Sequence, residues 1–185
     1  MVGILAVQGA FIEHAHILEK LGAEYKFLRN SADITPDIDR LILVGGESTT
    51  QRKLLHELEM FAPLKSMIDS GMPVLGTCAG LILLAQDISN GDEPVFGTLP
   101  VRVCRNAYGR QLGSFSADGD IGEVKGYPMR FIRAPYIEKT LSDEVEILNV
   151  TDGRITAVRY GKQLGLAFHP ELTEDTRLHE MFLEM

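Results

Sequence analysis

Cys78 is the residue whose surroundings most clearly predict chemistry. It is the central residue of a Gly-Thr-Cys-Ala-Gly segment at positions 76–80, with an apolar run before it and another after it. A Gly-x-Cys-x-Gly pattern between a strand-like and a helix-like segment is typical of a nucleophile elbow in which cysteine replaces serine. The glycines permit a sharp turn, and free N–H groups at the start of the following helix favour thiolate over thiol. We therefore predict that Cys78 is a nucleophile; the alternative is a buried structural cysteine between small residues.

His169 and Glu171 are candidates for the groups that would activate this cysteine. They follow an apolar run at positions 164–168 and are separated by Pro170. A cysteine nucleophile needs a base, and the base needs a third group that fixes its tautomer. The alternative is a helix start, with Pro170 in the first turn and Glu171 favoured by the dipole. The order Cys, His, Glu differs from that of the serine α/β-hydrolases, in which the acid precedes the histidine.

A third candidate segment is the glycine pair at Gly45 and Gly46. It ends an apolar run at positions 40–44, where a strand of an open α/β sheet would reach its ligand-binding edge. A glycine N–H can stabilise an oxyanion, and Ala79, directly after the proposed nucleophile, would offer a second N–H. The alternative is a tight turn that caps the strand, with Ser48 or Thr49 as the N-cap of the next helix.

The elements that would position these residues alternate between strand and helix up to residue 85. Such alternation predicts βαβ units around a parallel sheet. Strands are expected at 3–7, 24–28, 41–44 and 74–77, and helices at 10–21, 50–58, 64–70 and 79–85.

The pattern changes beyond about residue 90, where strand-like segments follow one another with few helices between them. They lie at 101–103, 129–132, 145–150, 155–160 and 163–168, with hairpin turns expected at 152–153 and 161–162. A last helix is expected at 173–185 with Thr173 as its N-cap. The sequence therefore predicts an α/β fold, a doubly wound, mostly parallel sheet with antiparallel additions.

Length and composition indicate a single domain over residues 1–185. The net charge is −8 and the pI is about 5.1, which argues against a nucleic-acid partner. The apolar runs are too short to cross a membrane, and we expect no signal peptide. Two cysteines make no disulfide framework, and a bond between Cys78 and Cys104 would destroy the nucleophile, so we expect a reducing, cytoplasmic compartment.

The other histidines are not predicted to have a role. We expect His14, His16, His56 and His179 on solvated helix faces, and their spacing predicts no metal site. The alternative for one of them is that Glu13 and His14 approach the mouth of the active site.

Taken together, the three segments resemble the class I, or triad, glutamine amidotransferases. Within that class, the loop Gly-Gly-Glu-Ser-Thr at 45–49, where most members carry Gly-Gly-Pro-Gly, is similar to that of the glutaminase subunits of pyridoxal 5′-phosphate synthases. Further similar segments lie at 7–10, 105–106, 109–111, 131–135 and 168–175. The resemblance extends from residue 2 to about residue 185; Ala107-Tyr108 departs from the serine-aromatic pair that is common there.

The resemblance implies a flavodoxin-like three-layer fold and hydrolysis of L-glutamine to L-glutamate and ammonia through a cysteine thioester. It implies a partner synthase (lyase) subunit that makes pyridoxal 5′-phosphate from a pentose phosphate and a triose phosphate, and no cofactor. The implied catalytic triad is Cys78, His169 and Glu171, and the implied oxyanion hole is Gly46 and Ala79. The residues implied to bind glutamine are Gly46, Glu47, Ser48, Arg105, Ile132 and Arg133.

Alternatives to these implied roles stay open at the level of the sequence. An arginine fork suits an α-carboxylate, but Arg105 and Arg133 are also consistent with surface charges on packed stems. The alternative functions are the glutaminase subunit of another synthase, such as imidazole glycerol phosphate synthase, a cysteine hydrolase or chaperone of the same broad fold, and an inactive interaction subunit.

Overall fold

The computed structural model of the chain describes residues 1–89, 91–105 and 114–185. The strands are β1 (Val2–Leu5), β2 (Tyr25–Leu28), β3 (Arg40–Leu43), β4 (Val74–Thr77), β5 (Ala85–Ile88), β6 (Leu99–Cys104), β7 (Ser114–Ile121), β8 (Val124–Ile132), β9 (Tyr136–Thr140), β10 (Glu146–Thr151), β11 (Arg154–Tyr160) and β12 (Gln163–Leu166). The helices are α1 (Phe11–Lys20), α2 (Ser48–Glu57), α3 (Phe61–Asp69), α4 (Ala79–Leu84) and α5 (Arg177–Leu183). Within these described ranges, no helix combines the length and apolar character that a membrane span requires.

In the described part of the chain, ten strands form one sheet in the order β2-β1-β3-β4-β12-β11-β9-β6-β5, and β10 pairs with β11 beside this path. The strands β2, β1, β3, β4 and β12 run parallel to one another, in the 2-1-3-4-5 order of a flavodoxin-like doubly wound sheet. The pairs that β11 forms with β9, β10 and β12 are antiparallel, and so is the pair of β6 with β9. The predicted fold class is therefore confirmed.

The centre of the parallel sheet is buried on both faces. Every residue of β1 and β4 is buried, which explains why these strands are almost continuously apolar in sequence. Helix α4 packs unusually close to the sheet, because a Cβ atom at Gly80 would lie 1.9 Å from the Leu43 carbonyl oxygen. A Cβ atom at Gly76 would lie 2.7 Å from the Leu84 side chain. The two glycines next to Cys78 thus let α4 lie directly on the strands that carry the site.

Three strands of the structure were not predicted from the sequence pattern, namely β5, β7 and β9; β5 pairs in parallel with β6, whereas β7 and β9 form antiparallel pairs. Alternate residues of β7 are exposed, and its sequence Ser-Phe-Ser-Ala-Asp-Gly-Asp-Ile alternates between polar residues and apolar residues or glycine. This is the period of a half-buried strand, a signal that the sequence prediction overlooked. The strand expected at 129–132 extends back to Val124 through Pro128. Proline is tolerated there because β8 pairs only with β7 in the described structure. The two hairpin turns at 152–153 and 161–162 are confirmed.

One predicted helix start, and one N-cap that the sequence offered as an alternative, are wrong. Thr173 does not cap the last helix, because α5 begins only at Arg177. Instead, the Thr173 hydroxyl donates to the carbonyl oxygen of Pro170, which opens a short 3₁₀ turn over Pro170–Leu172. Neither Ser48 nor Thr49 is the N-cap of α2; Ser48 is its first helical residue and Glu47 occupies the cap.

Candidate active site

The candidate site lies at the carboxyl ends of the parallel strands, where doubly wound sheets bind their ligands. Loops that follow β1, β3, β4 and β12 meet there around a cleft of about 180 Å³. The residues that line the cleft are Gln8, Gly46, Glu47, Ser48, Cys78, Ile82, Arg105, Ile132, Arg133, Pro135 and His169.

Cys78 occupies the sharp turn between β4 and α4. Its backbone has φ 48° and ψ −99°, a region that non-glycine residues rarely adopt, and such strain costs on the order of 1–3 kcal/mol. The backbone N–H of Cys78 donates to the Leu166 carbonyl oxygen on β12 at 2.8 Å. This bond ties the turn at Cys78 to the strand that leads to His169. The side chain is mostly buried but lines the cleft, with 7% of the residue exposed.

His169 and Glu171 form a close pair behind the cysteine. The distance between His169 Nδ1 and Glu171 Oε1 is 2.6 Å, and Glu171 is 5% exposed. The backbone N–H of His169 donates to the Arg130 carbonyl oxygen at 2.8 Å, which fixes the end of the strand. Since Glu171 engages Nδ1, the other ring nitrogen is the one available to Cys78.

The environment of His169 favours its charged form. Burial lowers the pKa of this imidazole, but hydrogen bonds to Cys78 and Glu171, with the negative charge of both groups, outweigh burial and raise the pKa to about 10. An imidazolium between a thiolate and a carboxylate is the charge arrangement that an activated cysteine requires.

The glycine loop after β3 presses against this histidine. A Cβ atom at Gly45 would lie 2.4 Å from His169 Cε1, so only glycine fits. The Gly45 carbonyl oxygen accepts a hydrogen bond from the Ala10 N–H at 3.0 Å. The Glu47 N–H donates to Gln8 Oε1 at 2.8 Å. The loop that carries Gly46 is thus held by the segment between β1 and α1.

Both arginines of the expected glutamine pocket reach the cleft, but each already has an acidic partner. Arg133 Nη2 lies 2.8 Å from Glu47 Oε1. Arg105 is paired with Asp92, and its Nη2 donates to Thr49 Oγ1 at 3.1 Å. A ligand carboxylate would therefore have to share or displace these partners.

Two further predicted site residues are Ile132 and Ala79. Ile132 is 38% exposed at the cleft. Ala79 is buried and follows Cys78 as the first residue of α4. The sequence segments at 106 and 109–111, which contributed to the resemblance, lie outside the described residues.

Sequence reasoning assigned no pocket role to three cleft residues, Gln8, Ile82 and Pro135. Gln8 belongs to the segment 7–10 that contributed to the resemblance, and its position after β1 is a signal for a site at that edge. Ile82 lies one helical turn after Cys78, so the spacing of α4 could have indicated it.

The expectation that His14 and His179 lie on solvated faces is wrong, whereas His16 and His56 are exposed as expected. Both buried histidines are 0% exposed. Position 14 lies three residues after Phe11 and four before Leu18, on the apolar stripe of α1, and this spacing could have revealed its burial. His14 does not open onto the cleft; it lies behind Glu171, with 3.4 Å between His14 Nε2 and Glu171 Oε2.

Comparison with known proteins identifies the family. The SNO glutamine amidotransferase family matches residues 4–185. Pyridoxal 5′-phosphate synthase subunit PdxT from Desulfitobacterium hafniense (strain DSM 10664 / DCB-2) is 59% identical over 183 residues, which cover 99% of this chain and 92% of the relative. The subunit of the same name from Bifidobacterium longum is 52% identical and covers 100% of both chains.

Solved structures agree with this result. A crystal structure of a glutamine amidotransferase superposes with a TM-score of 0.92 at 42% identity, covering 99% of this chain and 97% of that one. The structure of PurLQS from Thermotoga maritima, with a TM-score of 0.66, 18% identity and coverage of 99% and 96%, shows a shared fold alone. The resemblance read from the sequence motifs is confirmed: this chain belongs to the SNO glutamine amidotransferase family.

Proposed function

We propose that this chain is a glutaminase that hydrolyses L-glutamine to L-glutamate and ammonia through a thioester on Cys78. The observation that carries the proposal is the line of three ionisable groups at the sheet edge: a cysteine in a nucleophile elbow, a histidine beside it, and a carboxylate 2.6 Å from the far nitrogen of that histidine. Membership of a glutamine amidotransferase family supports the choice of glutamine as substrate.

In the proposed reaction the Cys78 thiolate attacks the side-chain amide carbon of glutamine. His169, which holds the proton, gives it to the departing ammonia, and then takes a proton from the water that cleaves the thioester. Glu171 fixes the imidazole tautomer and stabilises the imidazolium. Glutamate leaves and the thiolate–imidazolium pair is restored.

The oxyanion of each tetrahedral intermediate would be held by the N–H groups of Gly46 and Ala79. Loss of one such donor typically costs roughly 3–4 kcal/mol of barrier. We assign glutamine binding to Gly46, Glu47, Ser48, Arg105, Ile132 and Arg133, all of which line the cleft. The two arginines would bind the α-carboxylate, since a guanidinium fork matches two carboxylate oxygens.

The ammonia would pass to a synthase subunit that makes pyridoxal 5′-phosphate from a pentose phosphate and a triose phosphate. This step rests on the relatives at 59% and 52% identity, which are named as pyridoxal 5′-phosphate synthase subunits. We also propose that residues 1–185 act as one domain and that the protein works in the cytoplasm, where a free nucleophilic cysteine stays reduced.

We further propose that docking of the synthase subunit completes the oxyanion hole. Glycine peptides change orientation at low steric cost, and only one orientation of the Gly45–Gly46 peptide aims the Gly46 N–H at the oxyanion. The hydrogen bond from the Ala10 N–H to the Gly45 carbonyl oxygen opposes a flip by about 1 kcal/mol. A partner that contacts this loop could therefore control the rate of hydrolysis.

The proposal is tested by measuring glutamate release at saturating glutamine, with and without the synthase subunit. We expect slow release by the chain alone and a strong increase with the partner; a Cys78→Ala variant with the partner controls for contaminating glutaminases. Release of no glutamate under either condition would overturn the glutaminase assignment. Equal rates under both conditions would reject partner activation alone.

A further inference from the structure

The second oxygen of Glu171 faces a group that the triad does not use. Glu171 Oε2 is buried and makes no hydrogen bond of ordinary geometry with any described residue, yet His14 Nε2 lies 3.4 Å from it. The other nitrogen of His14, Nδ1, lies 2.9 Å from His179 Nε2. A chain of buried polar groups therefore runs from α5 through α1 to the carboxylate that holds His169.

Hydrogen-bonding capacity decides which nitrogens of this pair carry protons. If His14 carried its proton on Nδ1, the unprotonated Nε2 would face the carboxylate oxygen, and His179 would keep a buried N–H on Nδ1, an atom with no hydrogen-bond partner among the described residues. If both histidines carry their protons on Nε2, His179 donates to His14 and His14 donates toward Glu171. The second arrangement avoids both conflicts and leaves only one unused acceptor.

The pair is held neutral, so its role is that of a hydrogen-bond donor and not of a counter-ion. Burial, with repulsion from His179 and His169, lowers the pKa of His14 well below its usual value. Burial lowers the pKa of His179 to about 4. A neutral donor can orient a carboxylate without cancelling the charge that stabilises the imidazolium of His169.

We propose that His14, aligned by His179, is a positioning residue for Glu171: its Nε2–H holds Oε2 so that Oε1 stays directed at His169. The 3.4 Å separation is long for a hydrogen bond, and bonds in catalytic sites commonly shorten when substrate binds. The Thr77 hydroxyl, also 3.4 Å from His14 Nε2, hydrogen-bonds to the same nitrogen, so in the proposed tautomer Thr77 Oγ1 and Glu171 Oε2 share the Nε2–H. This inference rests on the proposed triad.

The test compares two amides at position 14 that place their N–H groups differently. Glutamine places its amide near the Nε2 position of histidine, toward Glu171, whereas asparagine places its amide near Nδ1, toward His179. We expect His14→Asn and His14→Leu to lower kcat about 10- to 100-fold, by analogy with the loss of groups that orient metal-ligating side chains, with KM changed less than twofold. His14→Gln should keep kcat within about threefold of the unchanged protein.

Two matched variants complete the experiment. The activity of every variant is measured as glutamate release in complex with the synthase subunit. His16→Leu, on the exposed face of the same helix, should leave kcat unchanged. His179→Leu, which removes the donor that sets the tautomer of His14, should lower kcat less than His14→Leu does. Thermal unfolding of each variant identifies any that fail to fold.

The outcomes separate this inference from the proposed function. If the unchanged complex releases no glutamate, the proposed function fails first. If that complex is active and folded His14→Leu keeps kcat within twofold, the positioning role is overturned. If His14→Leu does not fold, the comparison of His14→Gln with His14→Asn tests the positioning role. Equal kcat values for these two variants would contradict a directed donor to Glu171.

Discussion

Glu171 separates two histidine sites that are built from the same residue type and have opposite properties. On the cleft side, the pKa of His169 is raised to about 10. On the core side, the pKa of His14 is lowered and that of His179 is lowered to about 4. Burial lowers the pKa of all three imidazoles, so burial alone does not explain the contrast.

The difference lies in the partners. His169 hydrogen-bonds to a thiol and a carboxylate, both of which become anions, and these stabilise its charge. His14 and His179 hydrogen-bond mainly to each other, and a second charge in that pair would be repelled. One side of the carboxylate is therefore suited to proton transfer and the other to fixed hydrogen bonding.

The largest effect should follow removal of Cys78, the proposed nucleophile on the cleft side. We expect Cys78→Ala to lower glutamate release by several orders of magnitude, while Cys104→Ala retains most of it. Cys104 lies at the end of β6 and does not line the cleft. Initial rates with the synthase subunit present measure both effects, and near-normal turnover by Cys78→Ala would remove the triad assignment.

The next largest effects should come from His169, the proposed base, and Glu171, which orients it, with the greater loss of kcat at His169. His169→Gln removes the proton acceptor, so we expect a loss on the order of 10⁶-fold in kcat. Glu171→Gln leaves the imidazole in place and should cost less, on the order of 10⁴-fold. A greater loss for Glu171→Gln than for His169→Gln would mean that the two roles are assigned incorrectly.

A smaller loss of kcat should follow a substitution on the cleft side that displaces His169 by a steric clash. In Gly45→Ala the new Cβ would lie 2.4 Å from His169 Cε1, and displacement of a catalytic group by about 1 Å commonly costs about 10²-fold in rate. Gly153→Ala is the control: it has open space but a φ of 74°, so it should cost about 1–2 kcal/mol of stability and no activity. An unchanged kcat in Gly45→Ala would show that the contact relaxes without moving the histidine.

The smallest effect concerns stability and tests the core side alone. Between pH 6.5 and about 4 the unfolded chain binds a proton at His179 that the folded chain does not, since the folded pKa is about 4. Stability from this residue is therefore complete above pH 6.5 and is lost as the pH falls toward 4, with a slope of up to about 1.4 kcal/mol per pH unit. The groups that face it are His14 and, beyond His14, Glu171 and His169.

Urea unfolding of His179→Leu measures this slope. We expect the free energy of unfolding to depend less on pH in this variant than in the unchanged chain, and His16→Leu, at an exposed position, to leave the slope unaltered. Parallel pH curves for the unchanged chain and His179→Leu would contradict a neutral, buried His179.

The cleft side of this contrast was predictable from sequence and the core side was not, for physical reasons. The cleft residues follow apolar strands within short segments, so local pattern predicts both the strand and the residue at its end. The bond from His14 to His179 spans 165 positions, and no local pattern encodes such a pairing. Spacing on α1 could predict burial of His14, but not its partner.

The same reason explains another difference between expectation and structure. The ion pairs of Arg133 with Glu47, 86 positions away, and of Arg105 with Asp92, 13 positions away, were not predicted from sequence either. The β7 strand is a different case, because its alternation of polar and apolar residues is a local strand signal that could have predicted it.

The most direct test of the central claim is covalent labelling with an electrophilic analogue of glutamine, followed by peptide mass spectrometry. With the synthase subunit present, we expect one adduct per chain, on the peptide that contains Cys78, and loss of glutamate release in proportion to labelling. Glutamine should protect against the reaction. Labelling of Cys104 instead, or full glutaminase activity in a chain fully modified at Cys78, would contradict the assignment of Cys78 as the nucleophile.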